Sequence, residues 1–229
     1  ASKLPHNTNP QVCFQGQTPG DVKAFVLNTA EVSALAGSAE LDYVAPFLGG
    51  TEMLSQTEIS SWVIDLPFTD VVEAQTKAPL LMRRLQEKVL PDRTRKAADE
   101  AESNAEVLKR NPRARINNHH AGFLARWWQL AYRREDLLAA IAKTDRYIMT
   151  SRVQSEQRMP IYAFVSSSVK PADSATVFSL DDDYSFGILS SSIHTNWLSI
   201  RCSTLETRLR YTSTTVWDTF PWPVAPSSV

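Results

Sequence analysis

Cysteine and glycine are both scarce in this chain. Cys13 and Cys202 are the only two cysteines in 229 residues. That is too few for a disulfide framework or a thiolate zinc site, and it suits the reducing cytoplasm. Seven glycines leave little material for a nucleotide cradle. Gly49-Gly50 reads as a turn, because no helix opening on Lys-Ser/Thr follows it. Neither a secretory leader pattern nor a long apolar span is visible. Net charge is nearly absent too, at −1, which by itself does not point to a polyanionic partner. What is present is a 43% hydrophobic chain, enough to bury a sizeable core.

The near-zero total hides an uneven distribution. Residues 1–82 carry three Lys/Arg against nine Asp/Glu, whereas residues 109–158 carry eleven against four. The basic middle is either a phosphate-facing patch or a solvated helix surface with surplus arginines. Arg126, Arg133, Arg134 and Arg146 are its phosphate-contact candidates. Arg152, Arg158 and Lys170 join them from two serine-rich loops, 151–159 and 166–174, and loops held by a rigid sheet are where binding residues concentrate. Asp173 and Ser174 are candidates for base contact on the second loop.

Residues 1–12 are polar and read as an arm or linker end. Apolar runs at 12–14 and 24–27 flank the turn-forming residues 16–20, which predicts a hairpin or a strand–loop–strand. Asn28 or Thr29 caps a short helix over 30–36. Residues 62–66, 147–150, 161–165 and 176–180 are strand candidates. Between them lies a helical insert, about 70–143. Val71 to Val89 keeps helical spacing with a break at Pro79, and Pro91-Asp92 opens a charged helix to Arg110. That helix has a thin stripe of Ala98, Ala101, Ala105 and Leu108, with i,i+4 ion pairs elsewhere. Residues 123–132 read as a further helix with Phe123, Trp127, Leu130 and Arg134 on one side, and Arg133-Arg134-Glu135-Asp136 opens another to Lys143. The pattern predicts an α+β fold over residues 13–229, with a mixed β-sheet and the helical insert in mid-chain.

The C-terminal stretch, 184–223, carries most of the argument. Phe186, Leu189, Ile193 and Trp197 make one apolar stripe of a helix, with Asp181, Asp182 and Asp183 ahead of it to meet its free N–H groups. Gly187, Ser190, Ser191 and Ser192 leave room for another backbone to approach. In the following strand, side-chain alternation puts Leu205, Leu209 and Tyr211 on one face and Glu206, Arg208 and Arg210 on the other. Arg pairs with guanine O6 and N7 and Glu accepts from cytosine N4, so this row is a candidate for base readout. The plain alternative is a solvated face with cross-strand ion pairs.

FGILSSSIHTNWL (186–198) and LETRLRYTSTTVWDTFPWP (205–223) resemble the C-terminal part of single-chain restriction–modification enzymes of the type IIG/IIL family. These enzymes carry a gamma-class adenine-N6 DNA methyltransferase. Phe186, Gly187, Leu189, Ser191, His194 and Trp197 fit the first motif. Arg210, Tyr211, Thr212, Phe220, Pro221, Trp222 and Pro223 fit the second. CFQGQTPGDVKAFVL (13–27), YVAPFLGGTEML (43–54), WVID (62–65) and ARWWQLAYRREDLLAAI (125–141) also look like this family, in the same order. The glycine-rich S-adenosylmethionine loop and the Asn-Pro-Pro-Tyr/Phe motif are missing; Asn9-Pro10 and Asn111-Pro112 are followed by Gln and Arg. The resemblance therefore implies a target recognition domain without its catalytic domain, a piece of a larger protein. It implies double-stranded DNA as partner, the methyltransferase domain of the same parent chain as a second partner, and no membrane. No cofactor is expected in this piece, S-adenosylmethionine being implied for the parent, and no catalytic or metal residue.

Two other functions compete. A metal-dependent nuclease or hydrolase would use Asp181–Asp183 with His194, at poor geometry, since His194 lies mid-helix eleven residues after Asp183. His119-His120 is a weaker metal candidate, because adjacent residues do not share a helix face. A protein-interaction module would use the exposed helix 92–110.

Overall fold

The computed structural model describes residues 2–55, 58–154, 159–205 and 208–223. The chain opens with a short helix α1 (Pro5–Thr8), a strand β1 (Cys13–Gln15), a helical turn α2 (Val22–Phe25) and a strand β2 (Val26–Asn28). Helix α3 (Thr29–Ser33) starts where expected: Asn28 accepts from the Glu31 N–H while Glu31 accepts from the Asn28 N–H, a capping box. A 3-10 turn (Ala39–Tyr43), β3 (Val44–Leu48), α4 (Gly50–Ser55) and β4 (Ser61–Ile64) follow. Helix α5 (Val71–Lys77) is capped by Asp70, and Pro79 restarts the chain as α6 (Pro79–Lys88). Helix α7 (Leu90–Arg110) is the longest element, at 21 residues.

The helix expected over 123–132 does not form: α8 (His119–Leu124) begins four residues earlier and ends at Leu124, beyond which the chain goes into turns. Then come α9 (Glu135–Ile141), β5 (Arg146–Ser151), β6 (Val153–Gln154), β7 (Tyr162–Ser166), β8 (Lys170–Pro171) and β9 (Ala175–Phe178). The predicted helix over 186–197 is two helices, α10 (Asp183–Leu189) and α11 (Ser192–Arg201), each with its own cap, Asp182 and Ser191. The break turns Ile193 outward, 71% exposed, and puts His194 in the interior instead. A Cβ at Gly187 would meet nothing within 4 Å, so no backbone packs there. The chain ends in a hairpin, β10 (Ser203–Leu205) and β11 (Arg208–Arg210), and a π-helical turn, Ser213–Trp217.

The described residues form two compact units: Ala1–Gln17, Pro46–Ile59 and Arg134–Val229; and Thr18–Ala45 with Ser60–Arg133. The first unit is built on an antiparallel sheet in the order β1-β9-β5-β7. Both of its faces are buried, and alternation sorts the side chains between them. Phe14, Tyr147, Met149, Val165 and Val177 point to one side and pack with Leu137 and Ile141 of α9. Cys13, Ile148, Tyr162 and Phe178 point to the other and pack with Leu189, Leu198, Tyr211, Val216 and Trp217. Phe47 and Leu48 pair in parallel with Lys170 and Pro171. Parallel and antiparallel pairs beside helices make this an α+β fold with mixed strand directions.

The expected arm at 1–12 is packed into this unit. Asn7 is buried and its Nδ2 donates to the carbonyls of Trp217 and Phe220, at 2.6 and 2.7 Å; Trp217 Nε1 donates back to Asn7 O at 2.9 Å. Helix α9, counted in the helical insert by pattern, also belongs here.

In the second unit β2 pairs with β4, and two buried charged groups hold the helices. Arg93 sits 8% exposed between the rings of Phe25 and Phe123 and donates to the carbonyls of Phe123, Arg126 and Gln129. Glu100 accepts the His120 and Ala121 N–H groups at the start of α8. The inward face of α7 is thus Arg93, Ala97, Glu100 and Asn104, while the predicted stripe of Ala98, Ala101, Ala105 and Leu108 is exposed. A stripe of small residues carries less weight here than two satisfied charges.

Candidate nucleic-acid interface

The strand expected over 205–211 is instead one arm of a hairpin. Strands β10 and β11 are antiparallel, with Leu205 opposite Arg208 and Ser203 opposite Arg210. Glu206 lies outside the described residues, as does Arg158. Arg208 and Arg210 remain on one face of β11, Arg208 exposed and Arg210 half-buried.

Strand β11 joins the main fold through β6. Arg210 is opposite Val153, Leu209 is opposite Gln154, and the Tyr211 N–H donates to Arg152 O at 2.8 Å. Arg152 in turn donates its N–H to Ser174 O at 2.8 Å, which draws the 172–174 loop alongside. The result is a pocket of about 220 Å³ lined by Gln15, Arg152, Thr176, Ser203, Arg210, Thr212 and others. Arg152 Nη1 reaches Asp173 O at 3.5 Å, and Gln15 Nε2 reaches the same carbonyl at 3.4 Å. Gln15 Oε1 accepts from Arg134 Nη2 at 3.5 Å. Burial, and then the like charges of Arg210 and Arg134, hold the Arg152 guanidinium below its ordinary pKa; Asp173 opposes this only partly. Two guanidiniums on one small pocket, with a third close enough for Arg152 to feel its charge, favour an anion there.

The remaining candidates fall elsewhere. Ser174 is exposed, but its Oγ already accepts the Gly50 N–H at 3.0 Å. Arg146 is at the opposite end of β5 from Arg152, about 20 Å away at ~3.3 Å per residue. It donates to Asp181 O, pairs with Asp183 at 3.0 Å and lies 3.7 Å over the Phe164 ring. Arg133 belongs to the second unit and pairs with Asp65 at 2.6 Å. Arg126, also in the second unit, is exposed with its guanidinium 5.7 Å from the Phe123 ring. Lys170 is half-buried on β8. The sequence thus supplied Arg152 and Arg210 of the pocket, with Arg134 and the Asp173 carbonyl reaching Gln15 beside it. It missed Gln15, Thr176, Ser203 and Thr212 as site residues, although Gln15 and Thr212 stood in stretches that resemble the family.

The arrangement does not suit metal chemistry at the suggested acids. Asp182 caps α10, Asp183 pairs with Arg146, and His194 is fully buried, bonded to Leu189 O, Tyr162 and Tyr211. Among the described residues, no three His, Cys, Asp or Glu side chains are grouped to hold a metal ion. No helix of the described residues is long and apolar enough to cross a membrane. At Gly49-Gly50 a Cβ on Gly50 would lie 2.6 Å from Ser174 O and 2.7 Å from Ser151 Cα, so protein fills the space at this turn.

Comparison with known proteins now decides the family. The family model described as "MmeI, target recognition domain" matches residues 90–224. This chain belongs to the MmeI target recognition domain family. A solved structure of the type IIL restriction–modification enzyme MmeI in complex with DNA has the same fold, with a TM-score of 0.69 at 23% identity. The match covers 99% of this chain and 26% of that one, so the chain spans about a quarter of its relative's length. No curated protein sequence matches. The likeness reaches both units, including the long helical stretch that composition alone left open.

Proposed function

We propose that this chain is the sequence-specific duplex-DNA recognition part of a single-chain restriction–modification enzyme, of type IIG/IIL, whose catalytic part methylates an adenine N6. On this reading the domain orients the enzyme on its site and performs no chemistry. S-adenosylmethionine belongs to the catalytic part, and the two reduced cysteines accord with a cytoplasmic protein. Methylating a base inside a duplex requires taking it out of the stack, so the enzyme has to be placed on its site in register.

The observation that carries the reading is the convergence of Arg152 and Arg210 on one hydroxyl-lined pocket, with Arg134 reaching Gln15 on its wall and Arg208 exposed on the same strand as Arg210. Guanidiniums at a strand edge serve both tasks of a DNA reader, phosphate positioning and base-edge readout. Arg208 and Arg210, with Glu206, Asp173 and Ser174, are assigned to bases, and Arg134 and Arg152 to phosphates.

The test is selection of bound duplexes from a randomised pool, followed by titration of the enriched site at several salt concentrations. We expect one enriched motif and an affinity that falls steeply with salt, log Kd changing by about 0.9 per contacted phosphate for each tenfold change in salt. Arg208→Ala should alter which sequence is enriched, whereas Arg152→Ala should weaken all sequences alike. A chain that enriches no motif refutes the proposal.

A further inference from the structure

The second unit carries a basic feature that the pocket does not include. Between Val107 and Arg134 there are seven Lys/Arg and no Asp or Glu. Arg110, Arg113 and Arg115, at the end of α7 and in the loop after it, are all exposed. Among the described residues, none of the three is in an ion pair. The acid one turn before Arg110 is already used: Glu106 pairs with Lys109 at 2.6 Å.

This loop is tied at both ends. Asn111 Oδ1 accepts the Arg113 N–H at 3.1 Å, and Asn111 O accepts the Ala114 N–H at 2.9 Å. Asn104 on α7 then bonds Asn117 twice, donating Nδ2 to its carbonyl and accepting its N–H at 3.0 Å. Asn117 Oδ1 accepts the His119 N–H, which starts α8. A shallow recess lined by Arg115, Ile116, Asn117 and Asn118 lies on it. Three exposed arginines and a backbone pinned by asparagines are not needed to bury any core. They are suited to grip a run of backbone phosphates, because a loop ordered in advance loses little entropy on binding.

We infer that Arg110, Arg113 and Arg115 form a second contact with duplex DNA, made to the phosphate backbone and blind to sequence. This rests on the reading of the domain as a DNA reader and extends it to residues in the other unit. The test compares the wild-type chain with the triple variants Arg110→Ala/Arg113→Ala/Arg115→Ala and Arg110→Lys/Arg113→Lys/Arg115→Lys on one selected duplex and on several unrelated ones. For the alanine variant we expect Kd at 0.1 M salt to rise by roughly tenfold or more on every duplex, and the salt slope to drop by about 2–3, at ~0.9 per lost phosphate contact. The lysine variant should keep most of the slope, since a point charge suffices. An Asn104→Ala variant, its charge unchanged, should bind more weakly with the slope retained. Circular dichroism and melting temperature report whether the unit stays folded. An alanine variant with unchanged slope, or one that changes the preferred sequence, overturns this inference alone. A wild-type chain that binds no duplex overturns the reading beneath it.

Discussion

The Nε2 of His194 lies 3.2 Å from the hydroxyl of Tyr211, inside the core beneath the hairpin. The tautomer follows from the other nitrogen. Nδ1 is 3.1 Å from Leu189 O, which can only accept, so Nδ1 carries the proton and Nε2 accepts from Tyr211. Tyr211 directly follows Arg210, so the imidazole fixes the strand that carries the pocket's arginine.

Burial drives the His194 pKa down to about 4. The folded state thus holds the neutral ring, while the unfolded chain takes up a proton below about 6.5. The stability this contributes is complete above pH 6.5 and is lost as pH falls towards 4, a change of about 3 kcal/mol for a shift of that size. Chemical denaturation at pH 7.5, 6 and 4.5 should show that decline. His194→Gln, which can hydrogen-bond but not titrate, should flatten it while starting from a lower stability at pH 7.5. An equally steep decline in the variant would show that other groups dominate.

Asn7 ties the first residues of the chain to its last described turn. Asn7→Ala strands the carbonyls of Trp217 and Phe220 in the interior and should destabilise the first unit by about 1–3 kcal/mol. Urea unfolding followed by tryptophan fluorescence measures it. A loss below a few tenths would mean that water takes over both acceptors.

Arg93 is the corresponding element of the second unit. Burial, and then Arg126, bring its pKa down to about 10, so it remains charged at neutral pH. Arg93→Met leaves three carbonyls without a donor but keeps an apolar stem between Phe25 and Phe123. We expect a loss of about 2–4 kcal/mol, read as protection lost in amide exchange across α7 and α8. Arg93→Lys should recover less than half, since one ammonium cannot span three acceptors.

Gly50 stands against the loop that carries Asp173 and Ser174. Gly50→Ala forces a methyl against Ser174 O and Ser151 Cα, neither of which can move without its strand. The variant should melt several degrees lower and select a broader set of DNA sequences than wild type. Unchanged melting and selection would mean that the loop shifts freely.

Much of this was legible because it is local. The caps at Asn28, Asp70 and Asp182 and the restart at Pro79 are each set by residues within four positions. Two-residue strands such as β6 and β8 leave no periodic trace. The break at Ser190-Ser191 was hidden because the apolar spacing runs straight through it. Arg93 and Glu100 read as solvated charges because their partners are carbonyls and N–H groups some 20–36 residues away. Alternation within 205–211 gave no sign that Arg208–Arg210 would pair with Ser203–Leu205, because that pairing joins two segments. Membership of the family was legible only from ordered motifs, since the total charge pointed nowhere.

Helix α7 rises about 1.5 Å per residue, so Arg110 stands roughly 25 Å along the axis from Arg93. Beyond Arg93 the helix is held twice more, by Glu100 at the start of α8 and by Asn104 at Asn117, so its tip is braced at both ends of its length. Where the arginines at the tip come to rest is therefore governed by backbone groups that no nucleic acid need ever touch.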